Sequence, residues 1–234
     1  MKTDNPVLKK ILRFAPPYAV FPSLLCLAVN LLAYNGNRIF TDGWKHYDLS
    51  IGLDAAIPFL RWTILLYVLF FAFLPIGYLG VAQEGKKVFY RMAVAGIAAK
   101  LICLVFFFVL PTYMPDWPSG TFEIKNFTDW LLQFIYDHDE PNNLFPSIHV
   151  LESWLVMRTA LAGKKLPKPF KIGISVAAIC IILSTLTVKQ HLLADVAGGI
   201  LVTELSMLLT AKLRGERVLE WLESKFTRKE TSAV

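Results

Sequence analysis

Six stretches of the chain are apolar for close to the length that a lipid bilayer demands. A membrane-spanning helix takes about 20 apolar residues, because hydrocarbon offers no partner to an exposed backbone group and the helix satisfies its own. The stretches are residues 18–34, 56–82, 88–110, 145–163, 170–188 and 191–211. They specify an all-α, polytopic membrane protein with six transmembrane helices. Composition agrees, with 55% hydrophobic residues and a mean hydropathy of +0.50 in 234 residues, outside the range of soluble domains. The fourth stretch, "FPSIHVLESWLVMRTALAG", is the most polar. The first follows basic residues and has no small-residue cleavage site, so it reads as a retained anchor, not a signal peptide.

Lysine and arginine crowd the cytoplasmic side of membrane proteins. With the N-terminus inside, eighteen of the 24 basic residues fall on inner segments. They cluster at Lys2–Arg13, at Lys86, Lys87 and Arg91, at Arg158–Lys171, and at Lys212–Lys229. Both termini are therefore expected in the cytoplasm. The net charge of +6 is a topology signal that also suits contact with anionic lipid head groups. It does not point to nucleic acid, since no soluble basic patch interleaved with aromatics is present.

Cys26, Cys103 and Cys180 all lie inside apolar stretches and read as small core residues. Residues 111–144 form the longest extramembrane segment, on the outer side. Within it "DWLLQFIY" suits a short interfacial helix anchored by Trp130 and Tyr136, and "NFT" at Asn126 is a glycosylation sequon. "DHDE" (137–140) reads as a solvated acidic loop in preference to a cation site, because consecutive residues seldom converge on one ion. Residues 212–234 form a cytoplasmic tail, in which Leu219, Leu222 and Phe226 are spaced as an amphipathic helix on the inner surface.

One segment carries chemistry. "NNLFPSIHVLESW" (142–154) places Ser147, His149 and Glu152 at the lip of the fourth stretch, where polar groups are costly. His191 follows His149 by 42 residues. At about 1.5 Å per residue, that separation takes the chain once down and once back across a ~30 Å core. Both histidines thus reach the outer face. Asp195, four residues after His191, shares its helical face and can accept an imidazole N–H, leaving the other ring nitrogen nucleophilic. One histidine can attack phosphorus while the other protonates the leaving oxygen. Pro146 suits a first helical position, and the N–H groups around Ser147 then make an anion site at a helix start.

"PSIH" (146–149) followed by "STLTVKQHLLAD" (184–195) resembles the second and third motifs of the type 2 phosphatidate phosphatase superfamily, P-S-G-H and S-R-x5-H-x3-D. The resemblance extends over a single membrane domain with its core at 146–195. It implies His191 as the nucleophile that becomes phosphohistidine, His149 as the acid for the leaving group and Asp195 as the orienter of His191. It further implies Ser147 as a phosphate ligand, with Ser184 matched in the third motif. No metal or cofactor is implied. The substrate expected is a lipid or isoprenoid phosphate, met from the extracytoplasmic side of the cell membrane.

The departures fall on the phosphate grip. The first motif, K-x6-R-P, is absent, since no Arg-Pro pair occurs; Thr185 replaces the arginine of the third motif and Ile148 the glycine of the second. Lys189 is the expected substitute cation, reached through a non-helical approach over Val188–Gln190. The branch with similarly loose first motifs includes sphingomyelin-synthase-like and inositol-phosphorylceramide-synthase-like proteins, which transfer a phospho-headgroup to a lipid hydroxyl. A non-catalytic lipid-binding protein is the third alternative. Lys100 and Glu204, both mid-span, are expected to meet each other or water, and Glu152 to tune His149 or bond across helices.

Overall fold

The computed structural model describes residues 14–41 and 43–231. In chain order the helices are α1 (Pro17–Thr41), α2 (Gly52–Ala56), α3 (Ile64–Ala82), α4 (Lys86–Val109), α5 (Phe127–His138), α6 (Ile148–Ala162), α7 (Lys168–Thr187), α8 (Leu193–Leu213) and α9 (Glu216–Thr231). Two short parallel strands, β1 (Tyr47–Asp48) and β2 (Thr112–Tyr113), pair between the helices. Lys2, Lys9, Lys10 and Arg13, the basic cluster that precedes the first stretch, lie outside the described residues.

Among the described residues five helices are long and apolar enough to cross a membrane: α1, α3 with the 3-10 turn before it, α4, α7 and α8. The expected sixth, α6, is not among them. Its 15 residues rise about 22 Å, short of a ~30 Å hydrocarbon core. It packs against α3, α4, α7 and α8 at once, and nine of its fifteen residues are buried. A helix walled by other helices has little lipid to face, which is why this stretch reads as the most polar.

The helix starts that matter are fixed locally. Ser147 caps α6, its Oγ accepting the Val150 N–H at 3.3 Å, and Gly163 ends the helix. Asp195 sits in the first turn of α8 and accepts the Leu192 N–H at 2.8 Å. Arg214, in the left-handed region at φ 54°, ends α8, so the tail is a separate helix and not an extension of it. Leu219 of α9 is buried on the bundle, Val218 and Trp221 are exposed, and the side chain of Phe226 lies outside the description. Helix α5 forms where the loop pattern expects it. Trp130 is exposed, but Tyr136 is buried, and its hydroxyl donates to the Val188 carbonyl at 2.5 Å.

Candidate active site

Two glycines let α8 close on the start of α6. A Cβ on Gly199 would stand 2.8 Å from the Ser147 carbonyl oxygen, and one on Gly198 would stand 2.5 Å from the Phe145 ring. At that approach the Ser147 N–H donates to the Asp195 carbonyl at 3.1 Å. The preceding loop is pinned by Thr112, whose Oγ1 accepts the N–H groups of Leu144 and Phe145, each at 3.0 Å. The first turns of the two helices are thereby locked together, and the histidines travel with them.

His191 Nδ1 lies 3.2 Å from Asp195 Oδ2, the same oxygen that takes the Leu192 N–H. Asp195 is fully buried, and a carboxylate placed there can accept an Nδ1 proton and leave the Nε2 lone pair available. Its Oδ1 is buried without a partner among the described residues. The ring of His149 has its centroid 6.0 Å from that of His191 and packs between Tyr67, at 4.7 Å, and Phe70, at 4.4 Å. No side chain among the described residues bonds either nitrogen of His149. Two imidazoles separated by about the width of a phosphoryl group, each with an uncommitted nitrogen, suit attack on phosphorus by one and proton donation by the other.

Both histidines line a cavity of about 320 Å³. Asn142, Asn143 and Asp139 bring polar groups to its lining, and Leu31, Phe71 and Phe107 bring apolar surface. Leu31 and Phe71 are also exposed, so the apolar lining reaches the lateral surface of the bundle. No lysine or arginine is among the described residues that line it.

A model of the PAP2 superfamily matches residues 85–219 of this chain, from the residue before α4 into the first turn of α9. The chain belongs to the PAP2 superfamily. Membership suggests phosphatase or phosphotransferase activity, and with the apolar helices it is consistent with a multi-pass membrane protein. No curated protein and no solved structure matches the chain.

The residues that stand in the superfamily's motifs fall unequally in space. His149, His191 and Asp195 come together. Ser147 is wholly buried as the cap of α6, its hydroxyl taken up by the Val150 N–H. Ser184 and Thr185 are buried in the last turns of α7, and their hydroxyls donate back to Ile181 and Ile182, each at 2.7 Å. Neither lines the histidine cavity.

The approach to His191 is non-helical from Val188 to Leu192, as expected, and turns at Lys189, whose φ is 52°. The direction of Lys189 departs from expectation. Its Nζ donates to the carbonyls of Asp54, at 2.9 Å, and Ile57, at 2.7 Å, capping the end of α2. The left-handed turn swings the side chain toward α2, into the lining of a neighbouring cavity that reaches His191 but not His149.

Asp54 itself escaped the sequence reading. Its Oδ1 accepts the Leu193 N–H and its Oδ2 the Ile51 N–H, both at 2.8 Å, so it anchors the first turn of α8. An acid ahead of an apolar stretch was the available signal, but five residues of helix carry no periodicity to support it. Tyr67 and Phe70, which sandwich His149, carry no sequence signal that sets them apart from other membrane aromatics.

The mid-span charges pair differently from expectation. Lys100 forms an ion pair with Glu152, with side-chain exposures of 1% and 3%, and donates to the Cys26 carbonyl at 3.3 Å. The Tyr78 hydroxyl bonds the same carboxylate at 3.0 Å, so Glu152 bonds across helices. Glu204 instead takes Arg158 Nε at 2.6 Å and Trp154 Nε1 at 2.8 Å. The acidic segment expected as a loop begins inside α5: Asp137 and His138 are its last residues, bonded to Gln133 and to the Phe134 carbonyl, and Asp139, just beyond, bonds Tyr34. Among the described residues no three His, Cys, Asp or Glu side chains converge to hold a metal ion.

Proposed function

We propose that this protein is a membrane lipid phosphatase that cleaves a lipid or isoprenoid phosphate or pyrophosphate through a phosphohistidine on His191. The observation that carries this reading is the shared cavity, which His191 and His149 both line with Asp195 behind the former. In the first step His191 Nε2 attacks phosphorus, the ester P–O bond breaks, and the leaving oxygen takes a proton from His149. In the second, His149 removes a proton from water, the resulting oxygen attacks phosphorus, and the N–P bond breaks to restore His191. The apolar lining that reaches the lateral surface receives the lipid chain. No metal enters either step.

A second reading, lipid phosphotransferase, is favoured by one observation. A phosphate monoester carries close to two negative charges at neutral pH, and no cation is among the described residues lining the cavity. A phosphodiester headgroup carries one charge and needs less compensation, and a lipid hydroxyl then replaces water in the second step. Phosphate release from a panel of lipid monoesters, run against headgroup transfer from a phosphodiester lipid to a lipid alcohol, separates the readings. Release from monoesters without an acceptor supports the phosphatase. Transfer alone supports the second reading, and neither activity in folded protein contradicts both.

The charge distribution supports a reading in which the cavity faces the extracytoplasmic side of the cell membrane, both termini lie inside and α6 is a shortened sixth crossing. Asp139→Cys should then react with an impermeant thiol reagent on intact cells and Lys164→Cys should not. The opposite labelling would invert the orientation.

A further inference from the structure

At the end of the bundle opposite the histidines lies a cavity of about 550 Å³ between the start of α4, the end of α6 and the end of α8. The length of α6 separates it from His149, a rise of about 22 Å. Its floor is apolar, made by Val88, Met92 and Ala95 of α4 with Met207 and Ala211 of α8. Four cations line it as well: Lys87, Arg91, Lys164 and Lys165. The charge bias that orients membrane proteins accounts for lysines at this end. It does not account for their arrangement around a hollow whose floor is hydrocarbon-like.

The two lysines are held by a built turn. The Glu84 carboxylate accepts the N–H of Lys164 at 2.8 Å, of Lys165 at 2.9 Å and of Leu166 at 2.7 Å. Burial pushes the Glu84 carboxyl up, but these three N–H bonds and the nearby Lys171 ammonium outweigh it and hold it below the ordinary carboxylate range. The turn requires the glycine before it, since a Cβ on Gly163 would fall 2.3 Å from Glu84 Oε1. The one acid in the lining is therefore occupied by backbone. Arg91 is committed to Glu216, at 2.8 Å. The ammonium groups of Lys164 and Lys165 have no side-chain partner among the described residues, and Lys87 is 3.9 Å from Glu216 and largely exposed.

We infer that this cavity binds an anionic phospholipid, its phosphate between Lys87, Lys164 and Lys165 and its acyl chain along the floor of α4 and α8. Basic hollows between membrane helices recognise such headgroups by charge, while the adjoining apolar surface takes the chain. Both chemical halves of the ligand are matched here, and a free anion would use only one of them. The site is separate from the histidine cavity and stands whatever reaction that cavity performs.

The test uses the full chain in neutral phosphatidylcholine nanodiscs and compares it with nanodiscs containing phosphatidylglycerol. The anionic lipid should raise the unfolding temperature of the wild type by about 2–4 °C, the shift expected for a modest binding energy in a chain of this size. The exposed pair Lys164→Glu with Lys165→Glu should erase that shift, leave the unfolding temperature in phosphatidylcholine unchanged, and lose phosphatidylglycerol retained in native mass spectra. Inorganic phosphate should have no effect on either protein. An equal shift in the double variant would overturn the site. An equal shift from inorganic phosphate would overturn its assignment to a lipid.

Discussion

Two polar clusters lie inside this bundle, one turn of α6 apart. One is His149, His191 and Asp195; the other is Lys100, Glu152 and Tyr78. Both draw side chains from separate helices into an apolar interior, where an unmet charge is expensive. In the second cluster the valences are spent: Glu152 is met by an ammonium and a phenol, and Lys100 by a carboxylate and a carbonyl. In the first they are not. Among the described residues, His149 is packed on two aromatic rings with no bond to its nitrogens, and Asp195 keeps an unpartnered buried oxygen. A closed cluster holds helices together. An open one keeps atoms in reserve for a ligand, and on the proposed reading that distinction, more than burial or charge, separates chemistry from architecture.

The comparison breaks most readily at its open side. His191→Ala should lower turnover by at least about four orders of magnitude, the scale of losing a covalent nucleophile. His149→Ala should cost about 10²–10⁴-fold, most for poor leaving groups, as loss of a general acid does. Steady-state assays on purified folded protein check both. Wild-type turnover in either variant would mean that the uncommitted nitrogens are not the reacting ones.

The closed side should respond in stability, not chemistry. Glu152→Leu leaves Lys100 buried and unpaired and should cost about 3–5 kcal/mol, whereas pairing it with Lys100→Met should recover most of that loss. Unfolding of the three variants in detergent measures the cycle. If the double variant is stable yet as inactive as His149→Ala, the second cluster belongs to the reaction and the contrast fails.

The smallest effect sharpens the boundary between the two. Lys189→Gln should lower stability by about 1–2 kcal/mol through its lost carbonyl bonds. It should barely change turnover, against the 2–4 kcal/mol of transition-state energy that a phosphate-gripping cation would supply. A turnover loss of that size with unchanged stability would return Lys189 to the substrate.

The parts that were legible in the sequence are those carried by spacing. Run lengths fix the path of the chain, so the 42 residues from His149 to His191 place both at one end. The four residues to Asp195 keep it within reach of His191, although His191 stands ahead of α8 and not on a helical face with it. Partner choice was not legible. Lys100 meets Glu152 and not Glu204 because helix rotation and neighbour order decide it, and neither leaves a mark on hydropathy. A central helix such as α6 can be short and polar, because its neighbours replace the lipid that sets the length rule. Lys189 points away from its expected target through one left-handed residue, and Asp54 acts from a helix too short to show a period.

His191 is the proposed covalent centre of the open cluster. Rapid quenching of the enzyme turning over a lipid phosphate labelled with phosphorus-32 tests it directly. The account predicts an acid-labile, alkali-stable label on the peptide containing His191, lost in His191→Ala and accumulating in Asp195→Asn only in proportion to its residual turnover. An active wild-type enzyme whose labelled peptide lies elsewhere, or whose label survives His191→Ala, would contradict it.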